Sequence, residues 1–236
     1  MTNTSLDCVL FDLDGTLLDT APDFVTVLNQ LLADEQRPTL ADAAIRATVS
    51  NGARALITLG FDIQEGEPGF ESLRQKLLDL YEAQLGQQTR AFAGIDNLLS
   101  ELEFRSISWG VVTNKPSRYT NPLLEKLGYL SRCATVVCPD QVSHTKPHPE
   151  PMLLACKQAS CTPASTIYIG DHERDIQAGH NAGMPTIAAL YGYLDDDIDW
   201  QQWQATHQVH HANEILPWLE RLDWQAPSPT RPYSRT

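Results

Sequence analysis

Two aspartates separated by one residue, Asp12 and Asp14, follow the short apolar run Cys8–Phe11 and precede Gly15 and Thr16. Such a run reads as a buried strand. In open α/β sheets, ligands bind beyond the carboxyl ends of strands, where both acids would sit. Gly15 permits a sharp exit. Two carboxylates this close repel, and they coexist when a divalent cation joins them or when one keeps its proton. The pair suits a division of labour. Asp12 would ligate a hard cation and attack phosphorus to form an acyl phosphate, and Asp14 would protonate the leaving group and then activate water. An isolated Asp-x-Asp can also be a plain acidic turn, so its company matters.

Three further stations supply that company. The run Ile107–Val112 ends in Thr113-Asn114-Lys115, where a hydroxyl and free backbone N–H groups could hold phosphate oxygens or merely cap the next helix. Lys146 lies in a segment stiffened by Pro147, Pro149 and Pro151, so its ammonium would be presented at a fixed place. Several carboxylates beside a phosphate dianion require such a cation. The run Thr166–Ile169 ends in Gly170-Asp171, with Asp175 four residues further on the same face of a helix start. Acids there also suit the helix dipole. Together with Asp12 they offer an oxygen-rich set suited to Mg²⁺.

The elements that must position these residues alternate. Strand-like runs at Cys8–Phe11, Ile107–Val112, Thr135–Val137, Thr166–Ile169 and Thr186–Ala189 are separated mostly by helix-like stretches at Ile95–Leu102, Asn121–Leu127, Pro151–Ala159 and Asp175–Ala182. This rhythm predicts an α/β fold, a parallel sheet with helices on both faces. Between Asp19 and about Arg90 the pattern is helical only: Pro22–Ala33, Leu40–Val49, Gly52–Leu59 and Gly69–Leu85. That interval is too long for one crossover. It predicts an all-helical insertion, residues 19–90, hinged at Asp19–Pro22 and Gly86–Arg90, within a core of residues 1–18 and 91–225. The Pro-rich segment 226–236 reads as a disordered tail.

Composition narrows the partners. The 236 residues carry 17 Lys and Arg against 30 Asp and Glu, a net charge of −13. That field argues against nucleic acid, while a small phosphate ester stays open wherever local cations reverse it. Five cysteines without a framework pattern read as reduced thiols in a cytoplasmic protein. No apolar run approaches ~18 residues, so no membrane partner is expected. The polar Met1–Ser5 leads directly into the first strand without a leader pattern.

In chain order the stations are Asp12-x-Asp14-Gly15-Thr16, Thr113, Lys146 and Gly170-Asp171-x-x-x-Asp175. This order resembles the haloacid dehalogenase superfamily of aspartate-nucleophile phosphohydrolases, from about Leu6 to Leu222. The resemblance implies a Rossmann-like core with a helical cap inserted after the first motif. It implies Asp12 as nucleophile, Asp14 as acid and base, and Thr113 and Lys146 on the phosphoryl group, with Asn114 beside them. It implies Mg²⁺ on Asp12, the Asp14 carbonyl and Asp171, supported by Asp175. The dehalogenases themselves lack the second acid, so Asp14 argues against carbon–halogen cleavage. Asp19-Thr20-Ala21-Pro22-Asp23 and Ser50-Asn51-Gly52-Ala53-Arg54-Ala55-Leu56 are similar to the phosphoglycolate phosphatase group. Val111–Pro116, Cys138-Pro139-Asp140, Lys146–Pro151 and Tyr191-Gly192-Tyr193 are similar to the bacterial N-acetylmuramate 6-phosphate phosphatases of cell-wall recycling. His172-Glu173 departs from the small or acidic residues usual there.

The expected activity is therefore hydrolysis of a small carboxylate-bearing phosphate ester, N-acetylmuramate 6-phosphate or 2-phosphoglycolate. Arg54 would clamp the carboxylate and Gly52 would let the cap backbone approach; a solvated Arg54 is the plainer alternative. A phosphosugar mutase and a non-catalytic binding protein are the other readings, and monomer and homodimer both remain open. Cys133, Cys138, His144 and His148 have the wrong spacing for zinc. His172 is expected to face solvent, His207, His210 and His211 to be solvated or capping, and Trp200, Trp203, Trp218 and Trp224 to pack the C-terminal segment onto the core.

Overall fold

The computed structural model describes residues 6–194 and 198–222. In chain order the elements are β1 (Cys8–Phe11), β2 (Leu18–Asp19), α1 (Ala21–Asp34), α2 (Asp42–Thr48), α3 (Gly52–Phe61), α4 (Phe70–Gln84), β3 (Arg90–Ala91), α5 (Ile95–Phe104), β4 (Ser108–Val112) and α6 (Ser117–Lys126). They continue as β5 (Thr135–Val137), α7 (Glu150–Ala159), β6 (Thr166–Gly170), α8 (Glu173–Asn181), β7 (Thr186–Ala189), β8 (His207–Val209) and α9 (Ile215–Arg221). Six strands form one parallel sheet in the order β5-β4-β1-β6-β7-β8. The expected α/β architecture is what the chain adopts.

Alternating strand residues divide the core between the two faces, as a pleated strand buried on both sides requires. Val9, Phe11, Val111, Ile167, Ile169 and Ile187 pack with α5, α6 and α9. Cys8, Leu10, Val112, Val137 and Tyr168 face α7 and α8, through Met152, Ala155, Cys156 and Ala178. β1 lies centrally, and Phe11 pairs with both Val111 and Ile169. Asp12, Thr113 and Asp171 therefore leave the sheet at one edge.

Helices α1–α4 build a second apolar cluster from Phe24, Leu28, Leu32, Ile45, Leu56, Leu77 and Tyr81 among others, which Tyr119 and Tyr193 join from outside them. The chain leaves the sheet and returns along a two-stranded antiparallel ribbon, Leu18 opposite Ala91 and Asp19 opposite Arg90. Buried Asp23, in the first turn of α1, ties the return segment down. Its carboxylate accepts the Gly86 N–H (2.8 Å), the Gln88 N–H (2.7 Å) and the Thr89 hydroxyl (2.7 Å). The two expected hinge segments are thus cross-tied to each other.

Some boundaries differ from the sequence expectation. α6 begins at Ser117 and carries Pro122 inside it, where a helix opening at Asn121 was expected. Asp140 explains the earlier start: it accepts the Ser117 N–H and hydroxyl, satisfying donors that an α-helix leaves free in its first turn. Trp203 is buried, and Trp200 and Trp218 are partly buried against neighbouring clusters. Trp224 and the segment 226–236 lie outside the described residues. The five cysteines are free. Among the described residues no helix is long and apolar enough to cross a membrane.

Candidate active site

The carboxyl edge of β1, β4 and β6 brings the sequence stations together. Ligand oxygens of Asp12, Asp171 and Asp175, all three buried, lie within 4.8 Å of one another. Gly15 takes a φ of +83°, and a Cβ there would stand 2.1 Å from Asp171 Oδ2, so only glycine lets the first loop close over the acid. Thr16 donates to Asp171 Oδ1 (3.1 Å) and the Tyr193 N–H to Oδ2 (3.0 Å). Asp175 accepts the His172 N–H (3.1 Å).

Lys146 reaches this cluster from the loop before α7. Its ammonium donates to Asp12 Oδ1 (2.7 Å), the Val112 carbonyl (3.1 Å) and the Tyr168 hydroxyl (2.9 Å), and lies 2.8 Å from Asp175 Oδ1. Burial alone would lower its pKa, but Asp12 and Asp175 more than offset this and hold it above the ordinary value. Burial pushes Asp12 up to about 6, Asp175 and Asp14 adding to the rise and Lys146 opposing it. Burial, then the charges of Asp12 and Asp175, push Asp171 up to about 8. One ammonium does not balance three clustered carboxylates in a low-dielectric site. An all-carboxylate donor set with this excess of negative charge fits a hard divalent cation. A second group, His144, His148 and Glu150, lies together on the outer part of the same loop, with both histidines exposed.

Asp14 faces a different environment. Its Oδ1 accepts the Thr20 hydroxyl (2.5 Å) and the Lys115 ammonium (3.0 Å). Lys115 is itself buried, 5.0 Å from the Phe24 ring centroid and 4.6 Å from that of Tyr81. Sequence reasoning missed Lys115, Thr16, Thr20 and Tyr168. For Lys115 and Thr16 a signal existed, their places in Thr113-Asn114-Lys115 and Asp14-Gly15-Thr16, and Thr20 stood in the run Asp19–Asp23; Tyr168 is an ordinary strand residue whose proximity only folding creates.

A cavity of about 350 Å³ opens above these groups, lined by Asp12, Asp14, Thr113, Asn114, Lys146, Gly52 and Arg54 among others. Thr113 is buried and its hydroxyl accepts the Lys115 N–H (3.1 Å). The Asn114 side chain holds the Lys146 backbone, its amide donating to the Lys146 carbonyl and its oxygen accepting the Lys146 N–H, both at 3.2 Å. Arg54 pairs with Glu65 (2.7 Å), both more than half exposed. Gly52 is glycine for its φ of +78°; no protein atom lies within 4 Å of where its Cβ would be, so close packing within the chain is not its reason. His172 does not simply face solvent. It is half-buried and caps α8, Nδ1 accepting the Arg174 N–H (3.2 Å), and burial followed by the Arg174 charge lowers its pKa. The helical segment touches the acids through Ser50, whose hydroxyl lies 3.5 Å from Asp171 Oδ2 and whose carbonyl accepts from Arg174.

Known proteins resemble this chain over most of its length. The family profile described as haloacid dehalogenase-like hydrolase matches residues 9–189. The chain is 42% identical over 221 residues to an N-acetylmuramic acid 6-phosphate phosphatase of Pseudomonas aeruginosa, covering 94% of this chain and 98% of that protein. It is 40% identical over 219 residues to a phosphoglycolate phosphatase of Xanthomonas campestris pv. campestris, covering 93% and 97%. A crystal structure described as a predicted phosphoglycolate phosphatase, from Haemophilus somnus, superposes with a TM-score of 0.80 at 26% identity, covering 93% of this chain and 99% of that one.

Proposed function

The chain belongs to the haloacid dehalogenase-like hydrolase family, and we propose that within it the protein is a Mg²⁺-dependent phosphomonoesterase for a carboxylate-bearing sugar phosphate, with residues 19–90 as a cap over the site. The observation that carries this reading is the cluster of Asp12, Asp171 and Asp175 at one sheet edge, with Lys146 paired to two of them.

Asp12, Asp171 and the Asp14 carbonyl would hold the cation, with Asp175 in support. When bound, it supplies charge neutralisation for the phosphoryl oxygens and for the acids themselves. Asp12 attacks phosphorus in line, and the bond to the ester oxygen breaks as Asp14 delivers a proton to it. Asp14 then takes a proton from water, whose oxygen attacks the aspartyl phosphate, releasing inorganic phosphate and restoring the Asp12 carboxylate. Lys146, with the Thr113 hydroxyl and neighbouring backbone N–H groups, binds the phosphoryl oxygens. Most of the rate enhancement then comes from positioning and fixed charge.

Two features support N-acetylmuramate 6-phosphate over 2-phosphoglycolate. The relative at 42% identity carries the former name. The cavity, at about 350 Å³, falls in the ~300–1,000 Å³ range of sites for drug-sized ligands, well above the needs of a two-carbon acid. Asp12→Asn is expected to abolish hydrolysis of either ester, and chelation by EDTA to suppress it. Substantial turnover by purified Asp12→Asn protein overturns the nucleophile assignment. Measured side by side, kcat/KM is expected to favour the sugar acid ester; the reverse order transfers the substrate assignment to the two-carbon acid.

A further inference from the structure

Two phenol groups in the cavity have an O–H proton with no acceptor. Tyr81 on α4 and Tyr119 on α6 both line it, and their side chains are 1% and 4% exposed. Neither hydroxyl has a partner at ordinary hydrogen-bond geometry, and among the described residues no other buried side-chain N or O atom is left so. The Tyr81 oxygen does face the Lys115 ammonium, which can only donate to it and leaves the phenol proton without an acceptor. Their rings meet edge to face, with centroids 5.7 Å apart, across the seam between the helical insertion and the sheet. Tyr81 also stacks on Phe24, centroids 4.2 Å apart. Phenylalanine would supply that packing without burying a polar atom. A buried O–H with no acceptor opposes folding, so its presence calls for something outside the apo protein.

The surroundings indicate what that is. The chain as a whole carries −13, yet Arg54, Arg74, Lys115, Lys146 and Arg174 all line this cavity. Lys146 and Lys115 are committed to the catalytic aspartates. Arg54 and Arg74 are held only by Glu65 and Glu71, both largely exposed and readily exchanged for a ligand anion. Burial pushes the Tyr81 phenol up to about 12 against the opposing Lys115 charge and raises Tyr119 as well, so both are neutral O–H donors. The cavity beyond the phosphoryl site therefore offers cations for a carboxylate and two preformed neutral donors for uncharged oxygens.

We propose that the Tyr81 and Tyr119 hydroxyls are specificity-determining groups, donating hydrogen bonds to the hydroxyl, ether or amide oxygens of a sugar-acid leaving group. This rests on the phosphomonoesterase reading and refines it. Glycolate has only its carboxylate to offer, and the arginines compete for that. A sugar acid has oxygens left for the phenols. A site built to hydrogen-bond a substrate discriminates strongly against analogues that leave its buried polar groups unpaired.

The test uses Tyr81→Phe, Tyr119→Phe and the double variant in the full chain. The readout is kcat/KM for N-acetylmuramate 6-phosphate divided by that for 4-nitrophenyl phosphate, whose leaving group has no such oxygens. Each single change is expected to lower that ratio about tenfold, through KM, and the double change to lower it further. The ligand-free melting midpoint of Tyr119→Phe should stay level or rise, since an orphan polar group is removed. A ratio within about twofold of wild type in the double variant overturns the proposal. Calorimetric titration of N-acetylmuramate 6-phosphate into Asp12→Asn protein, with and without the two hydroxyls, decides the same question without turnover. Equal affinities there also overturn it. Hydrolysis that survives Asp12→Asn would instead sink the catalytic reading and leave the binding comparison to stand or fall by itself.

Discussion

Lys146 carries opposing electrostatic demands in one ammonium. It is 3% exposed, and its contacts to Asp12 and Asp175 offset the cost of burying all three charges. Replacing it by methionine keeps the volume and removes the charge. Lys146→Met should lower kcat by about 10²–10³, the scale seen when one fixed transition-state donor is lost. It should also destabilise the metal-free fold by roughly 3–5 kcal/mol, because two buried carboxylates lose their counter-charge. Urea unfolding in EDTA checks the second effect, and a variant as stable as the parent contradicts it. Sequence made part of this legible. Asp12, Thr113, Lys146, Asp171 and Asp175 stand at strand ends or in a stiffened loop, and short-range pattern finds such residues. Lys115, inside the Thr113-Asn114-Lys115 station, reaches Asp14, while Tyr168 reaches Lys146 and Asp175 from a place whose pattern speaks only of a strand. Their roles arise from contacts such as Lys146 to Tyr168, 22 residues apart in the chain.

Among the elements, five strands of the sheet are apolar runs that end at turn residues, and those were readable. β8, His-Gln-Val, has one buried residue in three and sits at a sheet edge, so the sequence marks a late strand near His207 without fixing its bounds. The β2–β3 ribbon is two residues long on each side, too short for any period. What fixes the ribbon is a side chain. Asp23 gathers donors from Gly86, Gln88 and Thr89, and it is 1% exposed. Removing it leaves those donors without their acceptor. Asp23→Ala should cost about 3 kcal/mol, the scale of hydrogen bonds to a buried charged group. If the helical insertion acts as a cap, KM should rise more than kcat falls, because the ribbon sets how the insertion returns to the site. A loss below about 1 kcal/mol in urea unfolding would mean that solvent readily replaces the carboxylate. The loop Tyr191-Gly192-Tyr193 links the same ribbon to the acids. The Tyr193 hydroxyl donates to Asp19 Oδ1 (2.9 Å) and accepts the Ala21 N–H (2.9 Å), while its backbone N–H donates to Asp171. Position of the insertion and orientation of Asp171 are therefore mechanically linked.

For the whole molecule, folding concentrates acids of a −13 chain at one point, and on the proposed function a divalent cation completes the balance. The sign of the resulting pH dependence follows from linkage. Asp12 and Asp171 each start from an unfolded value of 3.8 and rise to about 6 and about 8 on folding. Between those limits the native state binds more protons than the unfolded chain, so stability falls as pH rises. The contribution is fully present below 3.8 and is lost as pH climbs through about 6 and then about 8. A divalent cation binds the ionised carboxylates, so its stabilising effect grows over the same interval, following RT ln(1 + [L]/Kd). Urea midpoints taken from about pH 5 to about pH 8 should decline in EDTA and hold level or rise in excess Mg²⁺, the two curves separating steadily. Self-repulsion of the net charge could also tilt the EDTA curve, and Asp171→Asn separates the causes. That change removes one charge of thirty acids but deletes the group with the larger rise, so its EDTA curve should be distinctly flatter. Parallel curves for the parent protein with and without Mg²⁺ would mean that the three acids do not share a cation.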